Sequence, residues 1–482
     1  MSYPRDLTAQ EYKTFLDMRL SITRHRRRNV MRRNLHDAKS RLGKIGFSVP
    51  PHMVDFQIPL GWAATAISVP AARIHRDGFR IRGESSLGED LAEIFDNPHA
   101  RRLESGATRS SMKHGPAFMF VTPGEVDKGD PRVVFSAKSA LEATCIQNPR
   151  TGSVTAALEL VDRHQSLMYV PGMVLEVTMS QGTGKWLVTR EMPQNHNLVL
   201  CEPFVWDWDL DRPFGRSRIT RPLIGAMEQG VRTLLRQEVM AEFFSSPQRA
   251  LLGADEQHFT DKDGNPIDPW KLIMGAIWAL PDTYDEDEDK LVRPELKQLQ
   301  QASMQPHSEM FNGVVLRVAS ELSMPISYLG VQHNQPQNEG AIRAEEASMV
   351  SLIEHQIKVS YSLAAVNLAR KALAVFHDKW TGGMAKDLRG LTARFTDPGT
   401  PTIQARSDAA LKYKTAFPDG DPEVAMEMYG LTDEQIQRNL EYARRHSAGT
   451  LLDRVLGDSA DNPATTTNAA VSADPEGATV AE

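Results

Sequence analysis

Three stretches of helical apolar spacing, separated by one small insertion and one polar loop, constrain this chain more than any other feature. From Arg218 to Phe244, the residues Ile219, Leu223, Met227, Val231 and Leu234 keep one face, the recurrence expected of an amphipathic helix. Thr220 is its expected N-cap, and Pro222 falls in the first turn, where a missing N–H is harmless. A second helix is predicted over about Gln305 to Ser323, with Ser303 as cap, Pro306 in the first turn and Phe311, Val314, Val318 and Leu322 on one face. Met324-Pro325 stops it, because proline disfavours a helical residue before it. The insertion between the two reads as a small α/β unit: a strand at Gln248–Leu252, a turn at Asp261–Pro266, then the segment Trp270–Leu280 and an acidic run. The polar loop, Val331 to Gly340, leads into the longest helix, Ala341 to about His377, roughly 55 Å at 1.5 Å per residue.

The first half reads as mixed α/β. An apolar segment, Leu60 to Ile74, is helical until Pro70 interferes, and Leu87 to Leu103 reads as one polar helix. Short β-like runs follow at Ala117–Val121, Arg132–Ser136, Ser153–Leu160, Leu167–Val170, Val174–Met179 and Trp186–Thr189, separated by Pro-Gly and Gly-rich turns. They predict a twisted antiparallel sheet with helices on one side. Near the end, Asp421-Pro422 starts a short helix that stops at Gly430, and Thr432 with Gln435 makes a capping box for the next. Residues 459–482 hold almost no large apolar side chain and are expected to be disordered, since they cannot offset the entropy of ordering.

Charge is distributed unevenly. The 482 residues carry 55 basic and 62 acidic side chains, a net charge of −7, which argues against a nucleic-acid grip over the whole surface. Yet residues 1–44 hold twelve basic residues against four acidic, centred on Arg24, Arg26, Arg27, Arg28, Arg32 and Arg33 within a loosely helical pattern. A solvated helix face and a contact to nucleic acid or an acidic partner both remain open there, although no aromatic side chains interleave the arginines for stacking on bases. The opposite extreme is Asp282, Asp285, Glu286, Asp287, Glu288 and Asp289, whose mutual repulsion predicts a solvated turn with no coordination geometry set for a cation. Only Cys145 and Cys201 occur, so a disulfide scaffold and a multi-cysteine metal cluster are excluded and a reducing compartment fits. No secretory signal or run of about 18 apolar residues is visible, and the expectation is a protein of the cytoplasm.

Catalytic motifs find no support. Gly182-Thr183-Gly184-Lys185 lacks the earlier glycine and the following Ser or Thr of a phosphate loop, since Met179 and Trp186 stand there, and it reads as a hairpin turn. Asp261, Asp263 and Asn265 miss the calcium-loop pattern, with Gly264 two places early and Leu272 at the twelfth position. Trp206 and Trp208 of WDWDLD lie on one face of a segment read as extended, with acids on the other, a structural anchor in preference to an exposed partner site. The fourteen histidines form no HExxH, no GxSxG elbow occurs and no metal or cofactor is called for.

Several stretches resemble the portal proteins of tailed double-stranded DNA bacteriophages, in the branch with long non-contractile tails. LGWAATAISVPAARIHRDGFRI (Leu60 to Ile81) stands where that family has its early apolar helix and following strand. Phe214 to Asp255 is similar to the first stem helix and the strand after it. Ala319 to Val331 and Asn338 to Gln356 are similar to the second stem helix, the tunnel loop and the long wing helix. The likeness covers roughly residues 10 to 450 and is most specific over 214–360. One departure is Gln335-Pro336-Gln337-Asn338, where the family often has small residues after Asn-Pro.

The resemblance implies an α+β, ring-forming portal fold with long stem and wing helices, a mixed α/β wing and a small α/β clip. Its modules would be an N-terminal wing (1–218), first stem helix (219–245), clip (246–303), second stem helix (304–323), tunnel loop (324–340), long wing helix (341–378), C-terminal wing and crown (379–458) and a tail (459–482). Stem packing would fall to Leu223, Met227, Val231, Leu234, Phe311, Val314, Val318 and Leu322. Gln332, His333, Asn334, Gln335, Gln337 and Asn338 would face DNA in the tunnel loop, and the six acids from Asp282 to Asp289 would serve partner docking at the clip. The implied protein is a non-enzymatic ring, dodecameric in the capsid, at one capsid vertex of the virion. It would admit and release DNA and contact the terminase large subunit, a head-completion or adaptor protein, and major capsid and scaffolding proteins. No cofactor or membrane is implied. A loop almost free of charge suits transit, because each Lys or Arg there would hold phosphates by counterion release. Two other readings stand beside it: an α/β nucleotide- or phosphate-binding enzyme using the Gly182–Lys185 turn, and another phage head component.

Overall fold

A computed structural model describes residues 4–41, 49, 51–82, 86–244, 249–252, 283–285, 290–292, 295–298, 303–331, 339–399, 403–431 and 435–446. It mixes helix and strand in the α+β manner. The chain divides into two units, residues 1–400 and 401–482.

In the first unit, β1 (Arg5–Asp6) leads into α1 (Ala9–His36). A capping box starts the helix: Thr8 Oγ1 accepts the Glu11 N–H at 3.3 Å, and Glu11 accepts the Thr8 N–H at 2.8 Å. Then come α2 (Trp62–Ala71), β2 (Arg76–Arg80), α3 (Leu87–Phe95) and α4 (Pro98–His114). Two of these differ from the sequence reading. The single helix expected over Leu87–Leu103 is two, because Asn97 caps a new helix by accepting the His99 N–H at 2.9 Å and Pro98 takes its first position. In α2, Pro70 lies inside the last turn rather than ending the helix. The Ala66 carbonyl, four residues earlier, would go without its helical donor, and the Arg218 Nε–H supplies one at 2.7 Å.

The strands are β3 (Pro116–Pro123), β4 (Val133–Ser139), β5 (Ala143–Gln147), β6 (Val154–Leu160), β7 (Gln165–Val170), β8 (Met173–Met179), β9 (Trp186–Pro193) and β10 (Cys201–Val205). Instead of one sheet they form two, both antiparallel. A six-stranded sheet runs β1-β9-β8-β7-β6-β5, and a three-stranded sheet runs β10-β3-β4. The six-stranded sheet alternates, so Ala156, Leu158, Met168, Leu175, Val177 and Val188 meet Phe15, Met18 and Ile22 of α1. In β3, by contrast, Ala117 through Val121 are all buried, as a strand covered on both faces requires.

Next, α5 (Arg221–Phe244) precedes the paired strands β11 (Arg249–Leu252) and β14 (Glu295–Gln298), and between those lie β12 (Thr283–Asp285) and β13 (Lys290–Val292), also paired antiparallel. The segment 270–280 of the insertion lies outside the described residues. After α6 (Gln305–Leu322) and a short 3-10 turn, Ile326–Leu329, comes α7 (Glu339–Gln356). A π turn, Ile357–Tyr361, joins it to α8 (Ser362–Phe376), so the expected long helix is continuous but widened at one place. The first unit closes with α9 (Gly382–Asp387) and β15 (Thr392–Phe395), which pairs with β2.

The second unit contains α10 (Ile403–Ala416), which the sequence reading missed, α11 (Pro422–Tyr429) and a helix over 435–446. Asp421 caps α11 by accepting the Glu423 N–H at 3.0 Å, and Gly430 ends it at φ +91°, both at the expected positions. The capping box at Thr432 and the tail at 459–482 lie outside the described residues. No described helix is long and apolar enough to cross a membrane.

Candidate functional site: the paired helices and the anchors of the polar loop

Helices α5 and α6 pack against each other, and their shared core is built from their own apolar faces. Leu223 and Met227 of α5 and Val314, Val318 and Leu322 of α6 are buried in one cluster with Val315 and Ala319. Phe311 is half-buried against this cluster, with its ring 5.6 Å from that of Trp62. Val231 and Leu234 are only half-buried. The deep positions further along α5 are Leu235 and Val239, which meet Val49 and Met53. Polar bonds tie the same two helices together: Arg317 donates to Gln229 at 2.9 Å, and Thr220 donates to Glu321 at 2.7 Å. Thr220 also accepts the Leu223 N–H at 3.3 Å, the capping role expected of it.

Two closures make this helix pair rigid. Gly230 is required by close approach, since a Cβ there would stand 2.6 Å from Leu60 Cδ1 and 3.1 Å from the Trp62 ring. Arg218 is buried, yet two edges and one face of its guanidinium have partners. Nε bonds the Ala66 carbonyl, Nη2 bonds the Leu322 carbonyl at 2.7 Å, and the group stacks over Trp206 at 5.4 Å. Burial holds its pKa down, to about 10, still far above neutrality. One side chain thus closes the end of α6, the proline-opened turn of α2 and the strand end at Trp206.

A second basic residue ties together the chain on either side of the polar loop. Arg73 donates to Glu346 through Nη1 at 3.2 Å and Nη2 at 2.7 Å, to the Tyr328 hydroxyl at 2.8 Å and to the Pro398 carbonyl at 3.0 Å. Tyr328 donates in turn to Glu346. Tyr328 precedes the loop and Glu346 follows it, so one guanidinium fixes both flanks. Burial and the bond to Glu346 push the Tyr328 hydroxyl up from its ordinary range. Further along, the π turn docks on the end of β10. Gln356 accepts the Asp207 N–H at 2.9 Å, Ser360 donates to the Val205 carbonyl, and the Tyr361 and Ser111 hydroxyls bond at 2.6 Å. Asp207 stands in the left-handed region at φ +54°. The WDWDLD segment is therefore not extended there: Trp206 is the buried anchor, while Trp208 is about half exposed.

No protein-family model matches the chain. The portal protein of Mycobacterium phage L5 is 21% identical to it over 393 residues, covering 78% of this chain and 76% of that protein. The portal protein of Mycobacterium phage D29 is 22% identical over 390 residues, covering 78% and 77%. The chain is similar to phage portal proteins.

The remaining residues singled out from sequence fall as follows. Gln332, His333, Asn334, Gln335, Gln337 and Asn338 lie outside the described residues, between the two flanks that Arg73 holds. So do Asp282, Glu286, Asp287, Glu288 and Asp289. Asp285 ends β12 and pairs with Lys290 across the β12–β13 ladder. Gly182–Lys185 forms the turn between β8 and β9, with Gly184 at φ +65° and Ser180 donating to the Lys185 carbonyl at 2.8 Å. Both cysteines are buried and unpaired with each other. Among the described residues, no three His, Cys, Asp or Glu side chains gather to hold a metal. Sequence reasoning missed Arg218, Arg73, Tyr328, Glu346 and Gly230. The one signal for the first was a proline in a helix whose freed carbonyl needed a donor.

Proposed function

We propose that this chain is the portal subunit of a tailed phage: a ring at one capsid vertex through which double-stranded DNA enters during packaging and leaves during ejection. The observation that carries the reading is the likeness to two portal proteins over more than three quarters of every chain compared. The order of α5, an inserted strand region, α6, a polar loop and then α7–α8 supports it, because paired helices with one apolar stripe each can pack side by side around a closed rotation.

In this reading, 219–245 and 304–323 are the stem, 246–303 the clip, 324–340 the tunnel loop, and 1–218 with 341–378 the wing. Residues 379–458 complete wing and crown. The ring, dodecameric in the capsid, receives DNA from the terminase large subunit and holds a head-completion or adaptor protein at the acidic clip, and capsid and scaffolding proteins meet it in the head. The chain does no catalysis of its own.

Electron microscopy of the purified full chain, alone and with scaffolding or capsid protein, tests this. Rings with a central channel are expected. Monomers at every concentration and in both mixtures would overturn it. A second test addresses the loop: Gln335→Lys with Gln337→Lys should leave ring assembly intact and lower the yield of DNA-filled particles.

A further inference from the structure

The function proposed above gives no task to the arginines of α1, and their placement is specific. Phe15, Met18 and Ile22 bind one face of α1 to the six-stranded sheet, and Asn29 donates to the Ala140 carbonyl at 3.2 Å, so the helix cannot roll. Arg24, Arg28 and Arg32 recur every fourth residue on another face, about 6 Å apart along the axis. Arg24, Arg27 and Arg28 are exposed. Arg32, half-buried, leans back to donate to the His114 carbonyl at 3.2 Å at the end of α4. Arg212, exposed in the turn after β10, completes the cluster.

Among the described residues, no ion pair joins a carboxylate to Arg24, Arg27, Arg28 or Arg32, and no acid acts on Arg32. After burial, the charges acting on Arg32 are those of Arg28 and Arg212, both of its own sign. Those acting on His25 are Arg28 and Arg24. Those acting on His114 are Lys113, Arg32, Arg33 and His36. The side chain of His114 is itself buried, and its Nδ1 has no hydrogen-bond partner. A run of like charges, held in place by a helix that is locked to a sheet, leaves a standing positive potential that a line of anions would relieve.

We propose that this ridge, Arg24, Arg27, Arg28 and Arg32 of α1 with Arg212 beside it, is a docking surface for the sugar–phosphate backbone of double-stranded DNA, separate from the polar loop. Guanidinium groups bond phosphate oxygens in pairs and suit a repeating anionic partner. An acidic protein fits less well. The exposed apolar residues on α1 nearest the ridge, Leu20 and Met31, stand at its two ends, about 16 Å apart along the helix. Those two cannot by themselves form the apolar centre that a protein interface is built around, and the exposed Leu210 and Trp208 stand only at the Arg212 end of the ridge. The recognition assigned to it is of phosphates, which position a protein on a duplex without carrying sequence information.

Binding of the purified full chain to a relaxed, covalently closed circular DNA tests this, because a closed circle cannot thread a channel. The affinity is measured against salt concentration. Each phosphate contact contributes a slope of about 0.9 in log K against log salt, so Arg24→Ala, Arg27→Ala and Arg28→Ala together should lower the slope by about 2 to 3. They should also weaken binding at low salt by at least ~10-fold. Arg150→Ala, Arg163→Ala and Lys185→Ala, exposed basic residues in the turns of the six-stranded sheet, should change neither. The charge-conserving triple variant to lysine should keep the parent's slope whatever happens to α1 packing.

A parental slope in the alanine variant, or a lost slope in the lysine variant, would overturn the proposal. So would displacement of the DNA by polyglutamate as effectively as by competing DNA of equal charge, which would point to an acidic protein. Ring formation by the alanine variant, imaged separately, keeps this outcome distinct from failure of the portal reading.

Discussion

Arg218 donates to the carbonyl oxygen of Leu322 at 2.7 Å while its Nε holds the carbonyl of Ala66 at the same distance. The entry to α5, the end of α6 and the last turn of α2 therefore depend on one buried side chain. Arg218→Met keeps most of the volume but leaves two carbonyls without donors, and should cost about 3 kcal/mol. Arg218→Lys can reach one carbonyl and should cost about half as much. Urea denaturation of the purified chain reads both, and equal midpoints for the two variants would contradict the two-carbonyl account.

Gly230 and Gly225 lie on the same helix and make opposite predictions. A methyl at Gly225 meets nothing within 4 Å, so Gly225→Ala should gain helix propensity of up to ~1 kcal/mol. At Gly230 the same methyl meets Leu60 at 2.6 Å and the Trp62 ring at 3.1 Å. Leucine can rotate away but the indole, packed by Phe311, cannot, so Gly230→Ala should lose roughly 1 to 2 kcal/mol net. Midpoints of opposite sign in the same denaturant series check the pair.

These two residues mark where the sequence stopped being readable. Helices α5 and α6 announced themselves by apolar spacing, and Thr220, Asp421 and Gly430 by cap chemistry that depends only on near neighbours. Val231 and Leu234 fit the same period yet are only half-buried, because what covers a helix face is decided by the partner: Leu235 and Val239 find Val49 and Met53 instead. Strand β10 was missed because its sequence, CEPFV, carries a glutamate and a proline and is nevertheless buried throughout. Glu202 is tolerated there because Lys371, on a helix far along the chain, and Asn367 bond it. Contacts of this kind, like Arg73 with Glu346, join residues hundreds of positions apart and leave no periodic trace.

Arg73 makes a prediction about the two flanks of the polar loop. Arg73→Gln removes the paired bond to Glu346 and the bond to Tyr328, so the two flanks lose their common tie. Hydrogen exchange of the backbone amides around Tyr328 and Glu346 should then be at least ~10-fold faster than in the parent, because exchange follows the population of locally open forms. Tyr328→Phe, which leaves the Arg73–Glu346 pair in place, should shift the rate much less.

His114 gives stability a dependence on pH with a definite sign. Burial, then the charges of Lys113, Arg32, Arg33 and His36, holds its pKa at about 3 against the ordinary 6.5. Above 6.5 the imidazole is neutral whether the chain is folded or not, and the full stability is present. As pH falls below 6.5 the unfolded chain takes up a proton that the folded chain refuses, so stability is lost until the folded group also titrates near 3. At pH 5 the loss from this one side chain is about 2 kcal/mol. His114→Asn removes the group that titrates, so its urea midpoint should fall less steeply than the parent's between pH 7 and pH 5. Parallel pH profiles for the two proteins would show that His114 is protonated in the fold and that the arginines around it are neutralised by some other group.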